Sequence, residues 1–160
     1  MNVHEYTAPN ELTNTSEMYP SVFLAGTIDN GDSYNWQSEF IEKLKNTNSY
    51  IYTDYTVFNP RRENWDKTAT YQDQVNQIEW EHRYLDLSDV IIMNILPDSK
   101  SPISLMEIGL YAQSNKLMVF CTHEFYRYAN VETVCKKYNI PLYNTNKVDD
   151  IIYMMKMYTM

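Results

Sequence analysis

The chain of 160 residues contains only three glycines, Gly26, Gly31 and Gly109. They are too few and too scattered for a G-x-G-x-x-G dinucleotide turn, a Walker A loop or a G-x-S-x-G nucleophile elbow. Cysteine is equally scarce: Cys121 and Cys135 are the only two. That count does not build a disulfide framework and fits a reducing cytoplasm. No apolar run is long enough to span a bilayer. The first six residues lack the basic region and apolar run of a secretory signal, so none is expected. Histidine is limited to His4, His82 and His123. Cys121-x-His123 has the form of half a metal site, but no second half lies at suitable spacing. A buried thiol beside a surface histidine accounts for it. Neither a cofactor nor a metal is expected, and side chains have to carry any chemistry.

Positive charge is also in deficit. The chain has 13 Lys and Arg against 21 Asp and Glu, a formal net charge of −8. An acidic protein is poorly suited to gripping a nucleic-acid polymer, although local basic groups leave a small nucleotide open as a ligand. What the chain does have is apolar mass, 44% of its residues, enough for the core of one domain. Its Asn- and Tyr-rich usage fits an AT-rich coding genome, such as that of a phage or a low-GC bacterium. The expected location is the cytoplasm, away from membranes.

Residues 1–19 are polar and aperiodic and read as a flexible arm; 20–160 read as one domain. Residues 21–26 are a short apolar strand ending in Gly26, followed by a loop over 27–32. Ser33 is placed to cap a helix whose Trp36, Phe40, Ile41 and Leu44 recur at helical spacing. An aromatic, β-branched strand spans 50–58, and Asn59-Pro60-Arg61-Arg62 follows as a loop. Helices are expected over 71–87, 102–114, 125–138 and 149–158, and strands over 90–96, 117–121 and 141–143. The strand at 90–96 is almost continuously apolar, as a central parallel strand is. This alternation predicts a Rossmann-like or flavodoxin-like α/β domain, with about five mostly parallel strands flanked by helices.

In such sheets ligands bind beyond the C-terminal ends of the strands. Glu107 falls on the helix that follows the central strand, among Ile103, Met106, Leu110 and Tyr111. A carboxylate in apolar company needs a task or a partner. Ser104-x-x-Glu107 also matches a helix capping box, although Ser101 as N-cap with Pro102 at the first helical position fits that helix start better. Glu81 lies on the preceding helix, where a solvated carboxylate is an equally ordinary reading. Asp89 opens the central strand and reads as structural. Adjacent Arg61 and Arg62 are either solvated or placed for a phosphate or carboxylate. The Gly26–Gly31 loop offers backbone N–H groups and Thr27 for a phosphate or a sugar hydroxyl. Gly109 is expected to let its helix approach the sheet closely.

Taken in order, Phe23-Leu24-Ala25-Gly26-Thr27-Ile28, Glu81 eight positions before Asp89, Met106-Glu107-Ile108-Gly109 and Lys116 resemble the nucleoside 2-deoxyribosyltransferase family. That family includes relatives that hydrolyse deoxynucleoside 5′-monophosphates. The resemblance runs from about residue 22 to 121 and is strongest over 81–116. It implies that Glu107 is a nucleophile toward the anomeric carbon of a 2′-deoxyribose. Glu81, where the family usually has Asp, would orient the sugar or move protons. Ser101 stands where transferases tend to have Asp and monophosphate-cleaving relatives have a phosphate-binding Ser, and Thr27 matches their loop hydroxyl. The chain departs from the family at Phe23, where a Tyr positions the nucleophile, and at the acidic loop Asp29-Asn30-Gly31, for which Arg61 and Arg62 are the compensating charges. Trp36 and Asn59-Pro60-Arg61-Arg62 resemble a deoxyribosyltransferase-like subgroup.

The expected substrate-binding set is therefore Phe23, Gly26, Thr27, Asn59, Arg61, Arg62, Ser101 and Met106. The expected partners are a nucleoside or nucleotide, a free nucleobase, and further copies of the chain in a homodimer or higher homo-oligomer, with the tail at 153–160 contributing. The implied activity is cleavage or exchange of an N-glycosidic bond. The alternatives are a non-catalytic nucleotide-binding or sensing module, and an N-glycosidase acting on a ribonucleotide or NAD-like substrate.

Overall fold

A computed structural model describes residues 2–13, 19–47, 54–66 and 68–159. Six strands form one sheet: β1 (Val3–Thr7), β2 (Ser21–Gly26), β3 (Tyr55–Asn59), β4 (Val90–Ile95), β5 (Leu117–Cys121) and β6 (Leu142–Tyr143). The helices are α1 (Trp36–Asn46), α2 (Tyr71–Leu87), α3 (Pro102–Tyr111), α4 (Tyr128–Tyr138) and α5 (Val148–Thr159). The sheet order is β1-β3-β2-β4-β5-β6, and every pairing is parallel.

Strand alternation builds two cores. Val22, Leu24, Val90 and Ile92 face one side of the sheet, where Phe40 and Leu44 of α1 and Ile151 and Met155 of α5 cover them. Phe23, Ala25, Ile91 and Met93 face the other, against Trp80 and Leu85 of α2, Ile108 of α3 and Val131 of α4. With both faces covered, β2, β4 and β5 are buried almost throughout and apolar except at Ser21 and Asn94, which is why they read clearly in sequence.

The N-terminal segment differs from the expected loose arm and makes the sixth strand. Val3 to Thr7 pair with Tyr55 to Asn59 at the sheet edge. An edge strand leaves its residues half in solvent, so β1 has no apolar run to announce it. The predicted strand over 50–58 is seen as β3 from Tyr55; residues 50–53 lie outside the described set. Helix α1 is capped by Asn35, whose side chain accepts from the Ser38 N–H at 3.1 Å. Ser33, the expected cap, instead donates to the Ile28 carbonyl.

The chain leaves β2 toward β3 on one side and leaves β4 toward β5 on the other. The crevice beyond Gly26 and Ile95 is therefore the topological switch point, where open α/β sheets bind ligands.

Candidate active site

The crevice is shaped first by Gly26, which holds φ +124°; a Cβ there would lie 2.0 Å from the Asn94 carbonyl oxygen. Only glycine lets β2 turn out here. The turn buries Thr27 and aims its hydroxyl across to the loop after β4. Thr27 Oγ1 lies 3.0 Å from Ser99 Oγ and 2.7 Å from Ser101 Oγ, and the two serine oxygens are 2.7 Å apart. The Leu96 N–H donates to Thr27 Oγ1 at 2.9 Å, and Ser99 donates to the Leu96 carbonyl at 2.7 Å. The carbonyl of Thr27 is held from behind by Trp36 Nε1 at 3.1 Å and Gln37 Nε2 at 3.3 Å.

Ser101 occupies the N-cap position of α3, with Pro102 in the first turn, but its side chain caps nothing. Its backbone is left-handed, φ 43° and ψ 52°, a conformation costing a non-glycine residue about 1 kcal/mol. The hydroxyl is thereby spent on Thr27 and Ser99 rather than on the helix. Ser101 sets the N-terminus of α3 beside this hydroxyl cluster, and the first turn contains no acidic residue to offset its positive end.

Helix α3 buries Ser104, Glu107, Ile108 and Tyr111, the i, i+3, i+4, i+7 stripe of an inward face. This removes the capping-box reading of Ser104 and Glu107; the capping box in the structure is Thr70 with Asp73, at the start of α2. Glu107 is only 7% exposed, and among the described residues its carboxylate takes no hydrogen bond. Burial first, and then the negative charge of Glu81, push its pKa up to about 8. Tyr111, one turn on, does not relieve it, because its hydroxyl donates to Asp86 at 2.7 Å. Nor can Phe23, which is packed against Trp80 with ring centroids 6.1 Å apart and has no hydroxyl to offer.

Glu81 is held differently. Burial raises its pKa, but a hydrogen bond from Gln77 and the charges of His82 and Arg62 work against that rise. Gln77 Nε2 donates to Glu81 at 2.8 Å and to the Pro60 carbonyl at 3.0 Å, and Gln77 Oε1 accepts from Arg62 Nε at 2.5 Å. Sequence reading missed Gln77. A neutral amide on a helix carries no signal of its own, although its place four residues before Glu81 puts both on one face.

The two arginines part company. Arg61 turns inward, and its NH1 and NH2 groups bond Ser33, Tyr34, Gln37 and Gly31 at 2.6 to 3.5 Å. Desolvation lowers its pKa. Its guanidinium ties the 31–34 loop to β3, so its donors already have acceptors. Asn59, the last residue of β3, shapes this corner by accepting from the Arg61 N–H at 3.0 Å. Arg62 reaches toward Gln77 and also lines a cavity of about 220 Å³ with Asn35, Ser38, Asn59 and Trp65. A second cavity, of about 350 Å³, lies between α3 and α4 beside Leu105, Gly109, Tyr126 and Val134. Neither is lined by Glu81, which is half-buried, or by the buried Glu107.

Met106 lies on the outer face of α3, 60% exposed, with Ile103 and Leu110. It does not share the face of Glu107. Gly109 also points outward, and a Cβ there would meet nothing within 4 Å, so it is not the close-packing glycine expected from sequence. Asp89 sits at the opposite end of the sheet, accepting from Ser21 N and Oγ at 2.8 Å. Lys116 donates to the Asp86 carbonyl. Cys121 and Cys135 are free, buried thiols, and among the described residues no group of three or more His, Cys, Asp or Glu side chains is placed to hold a metal.

The switch-point crevice thus carries a cluster of three hydroxyls, and the carboxylates of Glu81 and Glu107 interact electrostatically. The family described as nucleoside 2-deoxyribosyltransferase like matches residues 19–125, the span that carries Gly26, Thr27, Glu81, Ser101 and Glu107. The chain belongs to that family. A search of curated proteins returns no match.

Proposed function

We propose that the protein cleaves or exchanges the N-glycosidic bond of 2′-deoxyribonucleosides or their 5′-monophosphates through a covalent deoxyribosyl–Glu107 intermediate. The observation that carries this is Glu107 itself: a buried carboxylate on the helix after the central strand, taking no hydrogen bond from the described residues and raised by a second carboxylate. Such a group is costly to keep unless its oxygen is reserved for a reacting atom.

With Glu81 ionised and Glu107 not, the pair holds one negative charge and one proton. Transfer needs the same inventory. Glu107, as the anion, attacks C1′; the C1′–O bond forms as the C1′–N bond breaks. The proton of the pair goes to the departing base. A second base nitrogen, or water, then attacks C1′ from the face the first base left, losing its proton to the pair and restoring Glu107. Two inversions give overall retention. Glu81 moves the proton and orients the sugar.

Thr27, Ser101 and the positive end of α3 fit a 5′-phosphate. Hydroxyl rotors can turn toward an anion without moving their heavy atoms, which favours the monophosphate. On the outer face of α3, Ile103, Met106 and Leu110 are each more than half exposed. This apolar stripe supports a homodimer in which a second copy lies next to the site. Among the described residues no helix is long and apolar enough to cross a membrane, and the free thiols fit a cytoplasmic location.

The test is to incubate the protein with deoxynucleosides and their 5′-monophosphates, with and without a second base, and to separate the products by chromatography. Intact-mass spectrometry of the quenched enzyme looks for a deoxyribosyl adduct that is absent in Glu107→Gln. New nucleoside only when acceptor base is present establishes transfer; free base with released sugar establishes hydrolysis. Binding without turnover of any substrate refutes the reading in favour of a sensing module.

A further inference from the structure

We infer that Gln77, oriented by Arg62, is a positioning residue that fixes the direction and charge of Glu81. This rests on the function proposed above. Every hydrogen-bonding position of the Gln77 amide except one oxygen lone pair is used. Its two N–H groups go to the Pro60 carbonyl at 3.0 Å and the Glu81 carboxylate at 2.8 Å, and its oxygen takes the Arg62 Nε–H at 2.5 Å. An amide is nearly symmetric in shape and can present either end. Here Arg62 is the group that breaks the symmetry. It is a donor only, so the amide oxygen must face it and the NH₂ must face Glu81.

Gln77 is 8% exposed and Glu81 half-buried, so the amide is a donor that the protein itself holds in place against that carboxylate. Glu81 thus receives a donor from the protein, and Glu107 receives none from the described residues. The two carboxylates are inequivalent before substrate arrives: the negative charge settles on Glu81 and the proton on Glu107. Arg62 adds its own charge on the same side, which reinforces the asymmetry.

The experiment titrates Glu side chains labelled with ¹³C at the carboxyl carbon, with the Glu81 signal assigned through Glu81→Gln. Wild type, Gln77→Met and Arg62→Met are compared. In Gln77→Met the loss of one charge-assisted hydrogen bond raises the Glu81 midpoint by about one pH unit or more. Arg62→Met leaves the amide in place but unoriented and gives a smaller rise of the same sign. In turnover, Gln77→Met lowers kcat about tenfold or more while KM changes less than about threefold. An unmoved Glu81 midpoint in folded Gln77→Met overturns the inference. If Gln77→Met does not fold, an unmoved midpoint in Arg62→Met overturns it. The titration needs no substrate. A shifted midpoint in a protein that turns over no nucleoside sustains the positioning role and refutes the deoxyribosyl reading instead.

Discussion

Replacing Glu107 by glutamine should stabilise the protein, and by an amount that grows with pH. The folded pKa of Glu107 is about 8 against an ordinary value of 4.5. Below pH 4.5 the side chain is neutral in both folded and unfolded chains and costs nothing. Between the two values the folded state keeps a proton that the unfolded chain has released, so stability falls as pH rises. Above pH 8 the penalty is complete. At about 1.4 kcal/mol per pH unit, the gap between 4.5 and 8 amounts to about 3 kcal/mol at pH 7 and at most about 5 kcal/mol above pH 8. Glutamine has the same shape and no charge, so Glu107→Gln escapes this penalty. For a domain of this size, about 3 kcal/mol is roughly 6 to 12 °C in Tm. Thermal melts of both proteins from pH 5 to pH 9 read it directly. The curves should lie close together at pH 5, where any difference reports the unpaired amide, and diverge steadily above it. Parallel curves across the range would show that Glu107 is not held as a buried acid, and the argument for its reactivity would go with it.

Glu81→Gln removes the negative charge that raises Glu107, so the Glu107 carboxyl midpoint, about 8 in wild type, should move to lower pH in a ¹³C titration; an unmoved midpoint would uncouple the two carboxylates. Ser101→Ala should raise KM for 5′-monophosphates about tenfold and leave nucleosides within about twofold; an equal change for both would place the phosphate elsewhere. Arg61→Met uncaps the carbonyls of Gly31, Ser33 and Tyr34 and should cost about 2–4 kcal/mol in denaturant melts; a wild-type melt with weakened phosphate binding would return Arg61 to the ligand. Leu110→Glu on the outer face of α3 should convert a dimer to monomer by light scattering; an unchanged mass would put the interface on another surface.

The parts of this fold that were legible in sequence are those whose signal is local. Strands buried on both faces, such as Val90–Ile95 and Leu117–Cys121, show nearly continuous apolar runs, broken in the first only by Asn94, because no position meets water. The edge strand Val3–Thr7 has no such run, and only its pairing with β3 reveals it. Glu107 stands out as a carboxylate in apolar company, whereas Glu81, an ordinary helix carboxylate by its own pattern, is singled out by the family resemblance. Their inequivalence could not be picked out, since it depends on an amide whose orientation is set by an arginine from a different loop. Arg61 and Arg62 are neighbours of identical type, yet one points into the protein and the other toward Gln77. Which does which is decided by carbonyls of the 31–34 loop, nearly thirty residues upstream, and no local pattern records that.

Phe23 is the residue where the family resemblance and the physics meet. A tyrosine there would place a hydroxyl in the core beside Trp80; phenylalanine offers none, and Glu107 takes no donor from the other described residues. The consequence is a higher proton affinity at the proposed nucleophile than a hydrogen-bonded carboxylate would have. A nucleophile of raised pKa is protonated more of the time near neutral pH, but it is more reactive when ionised, and it carries to the site the proton that a departing base requires. On this reasoning Phe23→Tyr, if its hydroxyl reaches Glu107, should lower the Glu107 midpoint and shift toward acid the fall of kcat/KM that follows loss of the pair's proton. The same substitution with an unchanged pH profile would mean that the hydroxyl stays out of reach of the carboxylate and that Glu107 is tuned by burial and Glu81 alone.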